Sequence, residues 1–403
     1  MKTIVGSILG WALLTGLVAC GEPSSPASMS EGGTEQVWYS MEFFLNDSVR
    51  AHAYLHGTPS KLSIINGRET IELERTGASS YRIPVFDGLI AGSWNADSSQ
   101  FLGTWTDKLQ SPQVDTRFVM NAIPEAPGFT AVGESATENF FSGTFINSES
   151  GAWNGSFVIQ TEGNNVLATV KTGTGDLRHL YGSVQDDHYS LSTFDGAHLY
   201  ALEFDRKGES IAGDFHSFTG YTAEITGTRL ARAPTTNPLR IQATGDLAFT
   251  VVVDADSTVE NWTAEQFAGQ VTLIDLMGTW CPNCMDASRL MIDLKQQFPE
   301  LQLASVAFER QSNPEKVFER FERYKSDMGI TWPMVYGGPA KKKETSYKMN
   351  FLTGFESFPT TLILDKQGKI AYVHTGFNGP ATGNAYLQEQ KFFKAAIGSL
   401  MNQ

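Results

Sequence analysis

Cys281 and Cys284 stand two residues apart in Trp280-Cys281-Pro282-Asn283-Cys284. Two thiols at this spacing across the first turn of a helix are close enough to form a disulfide. The helix is expected over 282–297. Met285, Leu290, Met291 and Leu294 share an apolar face, with Lys295 and Gln296 outside it. Pro282 suits the first helical turn, where a missing N–H costs nothing. Cys281 is therefore expected at a helix N-terminus, where free amides and partial positive charge stabilise a thiolate. A CxxC pair is also half of a zinc site. The only other cysteine is the distant Cys20, however, and no histidine pair has ligand spacing. A redox pair is favoured, with no metal and no cofactor.

The elements around the pair read as alternating strands and helices. Phe249 to Val253 reads as one strand, and Val271 to Leu276 as a strand buried on both faces that runs directly into the cysteine motif. Trp280-Cys281-Pro282-Asn283-Cys284 after a buried strand resembles the thioredoxin fold, and within it the TlpA/ResA-like envelope thiol–disulfide oxidoreductases. The similarity extends over roughly residues 245–402, and the domain is placed at 245–403. The remaining elements follow the order that this resemblance implies. Trp262 to Gln270 forms the short turn after the leading strand, Leu301 to Phe308 a core strand, and Pro314 to Met328 a helix with Phe318 and Phe321 inward. Phe358-Pro359-Thr360-Thr361 opens the strand and hairpin that carry the family's cis-proline, and Tyr386 to Leu400 a final amphipathic helix.

The resemblance also implies roles. Asp275, six residues before Cys281, matches the buried aspartate of thioredoxins, which exchanges a proton with the resolving thiol; a structural hydrogen-bonding role is the alternative. Pro359 is expected as the cis residue, and Phe358 as backbone for an extended substrate added as a strand. Trp280, Pro282, Phe358 and Pro359 form the implied substrate-binding set, and Cys281, Cys284 and Asp275 the catalytic one. Ala287 stands where relatives in cytochrome c maturation carry a glutamate, which weakens that assignment; Asp286 is adjacent but about 100° away around the helix. The implied activity is reduction of protein disulfides, with electrons from a membrane thiol donor. A peroxiredoxin shares the fold, but no proline lies in the five residues before Cys281. Thioredoxin-fold copper chaperones need three residues between the cysteines and a histidine before the proline loop, whereas His374 follows the hairpin.

Residues 36–232 read as an all-β region, an antiparallel barrel or sandwich. Short aromatic and β-branched runs such as Glu69 to Arg75, Phe140 to Asn147 and Gly155 to Thr161 are separated by turn sequences such as Asn66-Gly67 and Lys207-Gly208. From His198 to Phe204, Tyr200, Leu202 and Phe204 alternate with Ala201 and Glu203, the pattern of a sheet with one buried face. Tyr81 to Gly88 is echoed by Tyr189 to Gly196, each ending in Phe-Asp-Gly, which suggests a duplicated unit. A proline-containing linker spans 233–244. No catalytic cluster appears in the β-region. Its ligand is unassigned, so a ligand-binding lipoprotein with an accessory redox domain is a further alternative.

The chain opens on Lys2 and an apolar stretch from Ile4 to Ala19, too short and glycine-rich to span a membrane readily. It ends in Leu17-Val18-Ala19-Cys20, which resembles a bacterial lipobox with lipidation at Cys20. Residues 1–20 then form a lipoprotein signal peptide. Residues 21–35 form a flexible tether with a reach on the order of 20 Å. The expected location is the bacterial cell envelope, lipid-anchored and extracytoplasmic, at the outer membrane if the source is Gram-negative. A net charge of −14 argues against a nucleic-acid partner.

Overall fold

The computed structural model describes residues 36–109, 114–133, 135–234 and 241–403. The signal segment, Cys20, the tether and linker residues 235–240 lie outside the described residues. The β-region is two sheets. The first has nine antiparallel strands and runs from Glu69–Glu72 through Lys61–Asn66, Arg50–Thr58, Val37–Phe44, Val114–Ile123, Gln100–Asp107, Gly88–Trp94 and Ser80–Ile83 to Glu74–Gly77. The expected strand from Glu69 to Arg75 is thus two strands on opposite edges, joined by Leu73. Leu73 is buried, and its amide donates to the Leu62 carbonyl. One connecting residue leaves the edges only a few ångströms apart, so the sheet must curl until its first and last strands nearly meet.

The second sheet is a closed barrel of eight strands in sequence order, from Thr137–Asn147 to Tyr221–Leu230. Barrels of this size have interiors that side chains fill. Phe141, Phe145, Phe157, Leu202, Phe204 and Phe215 pack together in this one. The alternation from 198 to 204 is only half as expected. Tyr200, Leu202 and Phe204 point into the barrel, but Leu199 and Ala201 are also buried, against the core of the first sheet. The outer face of this strand is covered because the two sheets pack together there.

The two Phe-Asp-Gly echoes adopt different backbones. Tyr189 lies in a continuous strand, His188–Phe194, whereas the strand with Tyr81 ends at Ile83 and Val85 and Asp87 take left-handed φ values of 70° and 54°. Their ends nevertheless meet. A Cβ on Gly196, whose φ is +88°, would lie 2.5 Å from the Ile83 side chain. Asp87 and Asp195 are both buried at the boundary with the C-terminal region.

That region is a seven-stranded sheet in the order Val259–Thr263, Ala248–Val252, Met334–Pro339, Gln302–Glu309, Thr272–Met277, Thr360–Leu364, Ile370–Thr375. The three central strands, Met334–Pro339, Gln302–Glu309 and Thr272–Met277, are parallel, and the flanking pairs are antiparallel. Its helices are α1 (Pro282–Gln297), α2 (Pro314–Met328), α3 (Lys342–Lys348) and α4 (Asn384–Met401). Two cores lie on the two faces. Leu273 and Met277 pack with α1, α2 and α4, while Ile274 and Leu276 pack with Phe249, Val251, Phe351 and Phe355. This is the strand–helix order that the resemblance implied. The region's contacts begin ahead of residue 245: Ile241 is buried in the second core, and Ala243 pairs with Leu352.

Asp87 ties the first sheet to α2. Its carboxylate meets Arg82 at 3.0 Å, Arg320 at 3.0 Å and Arg323 at 2.9 Å, and Arg320 is itself only 6% exposed. Asn tolerates the left-handed backbone at 87, so Asp87→Asn isolates the charge. The variant leaves a buried guanidinium without its carboxylate, and the folded chain should lose about 3 kcal/mol. The measurement is the midpoint of urea unfolding, and an unchanged midpoint would contradict this account.

Candidate active site

The strand Thr272–Met277 is buried along its whole length and delivers the chain to the start of α1. Three residues fix the turn between them. The Thr279 amide and hydroxyl donate to the Glu309 carboxylate at 2.8 and 2.9 Å, and Arg320 donates to the Thr279 hydroxyl at 3.2 Å. Trp280 donates from its indole nitrogen to the Phe308 carbonyl at 2.9 Å. Cys281 is the N-cap of α1, and its Sγ accepts from the Cys284 amide at 3.2 Å. Cys281 and Cys284 form a disulfide, with their Cα atoms 5.2 Å apart. Pro282 occupies the first helical position. Cys281 is 7% exposed and Cys284 fully buried, which ranks their access to a solution reagent.

The Phe358–Pro359 bond is cis. Cys281 Sγ lies 3.9 Å from the Phe358 carbonyl oxygen. The Phe358 ring packs against Trp280, Phe308 and Phe355. Cys281, Cys284, Trp280, Pro282, Phe358 and Pro359 therefore belong to one site. Asp275 lies on the strand that leads into this site. Successive strand residues point to opposite faces, so Asp275 shares the α1 side of the sheet with Leu273 and Met277. It is fully buried; one carboxyl oxygen accepts from Thr361 at 3.5 Å and the other has no hydrogen-bond partner. Burial pushes its carboxyl up to about 7, and the weak Thr361 contact opposes this only slightly.

The β-region closes over this site. The barrel loop 172–178 lies on the turn that opens α1 and on the segment after Thr375. The Asn283 side chain donates to the Asp176 carbonyl at 3.3 Å, the Phe377 amide to the Thr174 carbonyl at 3.3 Å, and the Gly379 amide to the Asp176 carboxylate at 2.6 Å. Gly376 in turn donates to the Pro359 carbonyl at 2.8 Å, which links the covered segment to the cis-proline. The packing is close at Gly175, where a Cβ would fall 2.1 Å from Asn283 Nδ2 and displace that side chain.

Arg178 anchors this loop. Its guanidinium is 3% exposed and pairs with Asp195 and Asp286, each at 2.8 Å, and with Glu69, which also binds Arg289. Burial pushes the Asp286 carboxyl up to about 6; Arg178 and Arg289 oppose the rise, and Glu69 and Asp176 add to it. Burial also raises Asp195, but His198 and Arg178 overcome it and hold the carboxyl well below its ordinary value. Sequence reasoning placed Asp286 off the position of interest and made nothing of Arg178, Glu309 or Arg320. An acid in the buried part of α1 was a visible signal, but its partner 108 residues earlier was not.

Two neighbouring spaces remain beside Trp280. A cavity of about 210 Å³ lies between the β-region (His198, Tyr200, Phe218) and Trp280 with Pro282. A larger cleft of about 730 Å³ shares Leu109, Trp280 and Arg310 with it. The Arg310 guanidinium stacks 4.5 Å above the Trp280 ring. Among the described residues no helix is long and apolar enough to cross a membrane.

Residues 244–373 match the AhpC/TSA family. No curated protein matches the chain. Among solved structures, a thioredoxin-family thiol:disulfide interchange protein from Chlorobium tepidum TLS is 16% identical, covering 39% of this chain and 99% of its own, with a TM-score of 0.26. A thiol-disulfide oxidoreductase from Bacteroides fragilis NCTC 9343 is also 16% identical over 37% of this chain and 98% of its own, with a TM-score of 0.26. A DsbF homologue from Corynebacterium diphtheriae is 16% identical, with 37% and 87% coverage and a TM-score of 0.26. The family match confines the likeness to the C-terminal region that carries Cys281 and Cys284.

Proposed function

We propose that the chain is a thiol–disulfide oxidoreductase that reduces disulfides of extracytoplasmic proteins and is held at the bacterial envelope by lipid on Cys20. The observation that carries the redox reading is the Cys281–Cys284 disulfide at the N-terminus of α1, with a buried, half-partnered carboxyl on the strand leading into it. The Leu17-Val18-Ala19-Cys20 sequence supports the anchor.

In the reduced protein, the Cys281 thiolate attacks one sulfur of a substrate disulfide. A mixed disulfide forms, the substrate S–S bond breaks, and the leaving thiolate takes a proton from solvent. Cys284 then gives its proton to the Asp275 carboxylate and attacks Cys281 Sγ. The Cys281–Cys284 bond forms, the mixed disulfide breaks, and the second substrate thiolate leaves and takes up a proton. Two electrons and two protons have passed to the substrate, and a membrane dithiol donor restores the reduced pair. A carboxyl at about 7 is populated in both forms at neutral pH, which suits it to this transfer. Trp280, Pro282, Phe358 and Pro359 supply the surface on which the substrate sulfur is presented. The AhpC/TSA match favours peroxide reduction as a second reading. Consumption of hydrogen peroxide in preference to a disulfide peptide would select it.

Cys281 should alkylate well before Cys284 in the reduced protein at neutral pH, because it is the less buried thiol and caps the helix. Cys281→Ser should abolish disulfide reduction, and Cys284→Ser should accumulate mixed disulfides visible by mass. Faster alkylation of Cys284 would overturn the assignment.

Asp275 gives a second test with a defined sign. Its folded-state carboxyl titrates near 7 and the unfolded one near 3.8, so the folded protein keeps a proton that the unfolded chain releases. The stability contribution of Asp275 therefore falls as pH rises from about 4 to 7, by at most about 4 kcal/mol. Asp275→Asn removes that loss. Urea midpoints of the variant should gain on wild type between pH 5 and pH 8, while resolution of the mixed disulfide slows at pH 7 and recovers as pH rises. Destabilisation by more than about 2 kcal/mol with unchanged kinetics would make Asp275 a structural residue.

A further inference from the structure

The cleft beside Trp280 is positive on a negative protein. The chain carries a net charge of −14, yet six cationic side chains and three carboxylates line this cleft. Most of these charges have fixed partners within the fold. Arg82 and Arg320 meet Asp87, and Arg323 meets both Asp87 and Glu319. Glu309 is buried and both of its carboxylate oxygens accept from Thr279, so it too is held within the fold. Lys108 of the first sheet's last turn and Lys316 in the first turn of α2 both line the cleft, are exposed and have no ion pair among the described residues. Arg310 lies between the cleft and the redox turn, over Trp280, and belongs also to the smaller cavity that reaches Pro282.

We propose that this cleft seats an acidic segment next to the disulfide of a peptide or protein substrate, with Lys108 and Lys316 as its charge contacts. The inference rests on the disulfide-exchange reading above and names the substrate class for the same site. Three features point to a segment and not to a point ion. The space of about 730 Å³ is large enough for several residues, a smaller cavity that reaches Pro282 adjoins it at Trp280, and its cations without an ion pair among the described residues come from two different domains. The sign of the whole chain sharpens the expectation. A net charge of −14 attracts basic peptides at long range, so a preference for acidic ones has to come from a local feature.

The test uses the full chain, reduced beforehand, and three matched fluorogenic disulfide peptides whose flanks are Glu-Glu, Gln-Gln or Lys-Lys. Second-order rates for a single turnover are read at low salt and at about 0.5 M salt, where exposed charges are screened within a few ångströms. The Glu peptide should react at least about tenfold faster than the Lys peptide at low salt, and the ratio should approach one at high salt. In the double variant Lys108→Glu/Lys316→Glu the ratio should invert; because it is a ratio within one protein sample, partial misfolding does not mimic it. A wild-type ratio near one, a preference for the Lys peptide, or a ratio that the double variant leaves unchanged overturns the inference while Cys281-dependent reduction of the Gln peptide keeps the disulfide-exchange reading. Absence of any Cys281-dependent reaction with the Gln peptide overturns both.

Discussion

Arg178 holds an ionised group where water does not reach it, and much of the molecule is arranged around that fact. Taking a guanidinium out of water costs several kcal/mol unless its partners are well placed. Its three carboxylates come from three parts of the chain: Glu69 from the edge of the first sheet, Asp195 from the barrel, and Asp286 from α1, two residues after Cys284. Movement of any one of these parts away from the others would leave a buried charge short of a partner. The sheet, the barrel and the redox helix are therefore tied to a common arrangement. The loop that carries Arg178 is pressed onto the Cys281–Cys284 turn as a consequence. Asp87 repeats the device at the other end of the boundary, against Arg320 and Arg323.

Two buried carboxyls in the neighbourhood of Cys284 show how environment separates roles. Asp286 has opposite charge at 2.8 Å but shares it with Glu69 and Asp195, and burial still carries it up to about 6. Asp275 has no cation and one weak hydrogen bond, and burial carries it to about 7. The first is fixed by charge partners and serves docking. The second has an oxygen with nothing to bind and is free to take up a proton. The same residue type, at two positions eleven residues apart in the chain, answers to opposite demands because one site supplies arginine and the other does not.

What sequence made legible followed from local rules. The span of α1 came from Pro282 and the apolar spacing of Met285, Leu290, Met291 and Leu294, and Pro314 to Met328 read as a helix with Phe318 and Phe321 inward. The strand carrying Asp275 read as buried because nearly all of it is apolar. The β-region was legible as strands and turns but not as a topology. Nothing in Glu69 to Arg75 marks Leu73 as the point where the chain passes from one edge of a sheet to the other. Nor does alternation reveal that Leu199 and Ala201 are buried, since only the packing of a second sheet covers them. The ionic boundary was the least legible feature. Arg178 and Asp286, or Asp87 and Arg320, are partners only because three layers bring them together, and charged residues with distant partners look like ordinary surface.

The enclosure of the site bears on how such chemistry becomes selective. A thiolate at a helix N-terminus exchanges with many accessible disulfides, so a CxxC turn standing alone discriminates weakly. Here the turn has walls. His198, Tyr200 and Phe218 face Pro282 and Trp280 across a space of about 210 Å³, and loop 172–178 occupies the surface beside Gly376 and Phe377. These walls come from the β-region, and Arg310 of the C-terminal region completes the smaller space. The β-region thus limits the space open beside Trp280 and Pro282, while α1 and the strand beneath it carry the cysteine pair and Asp275.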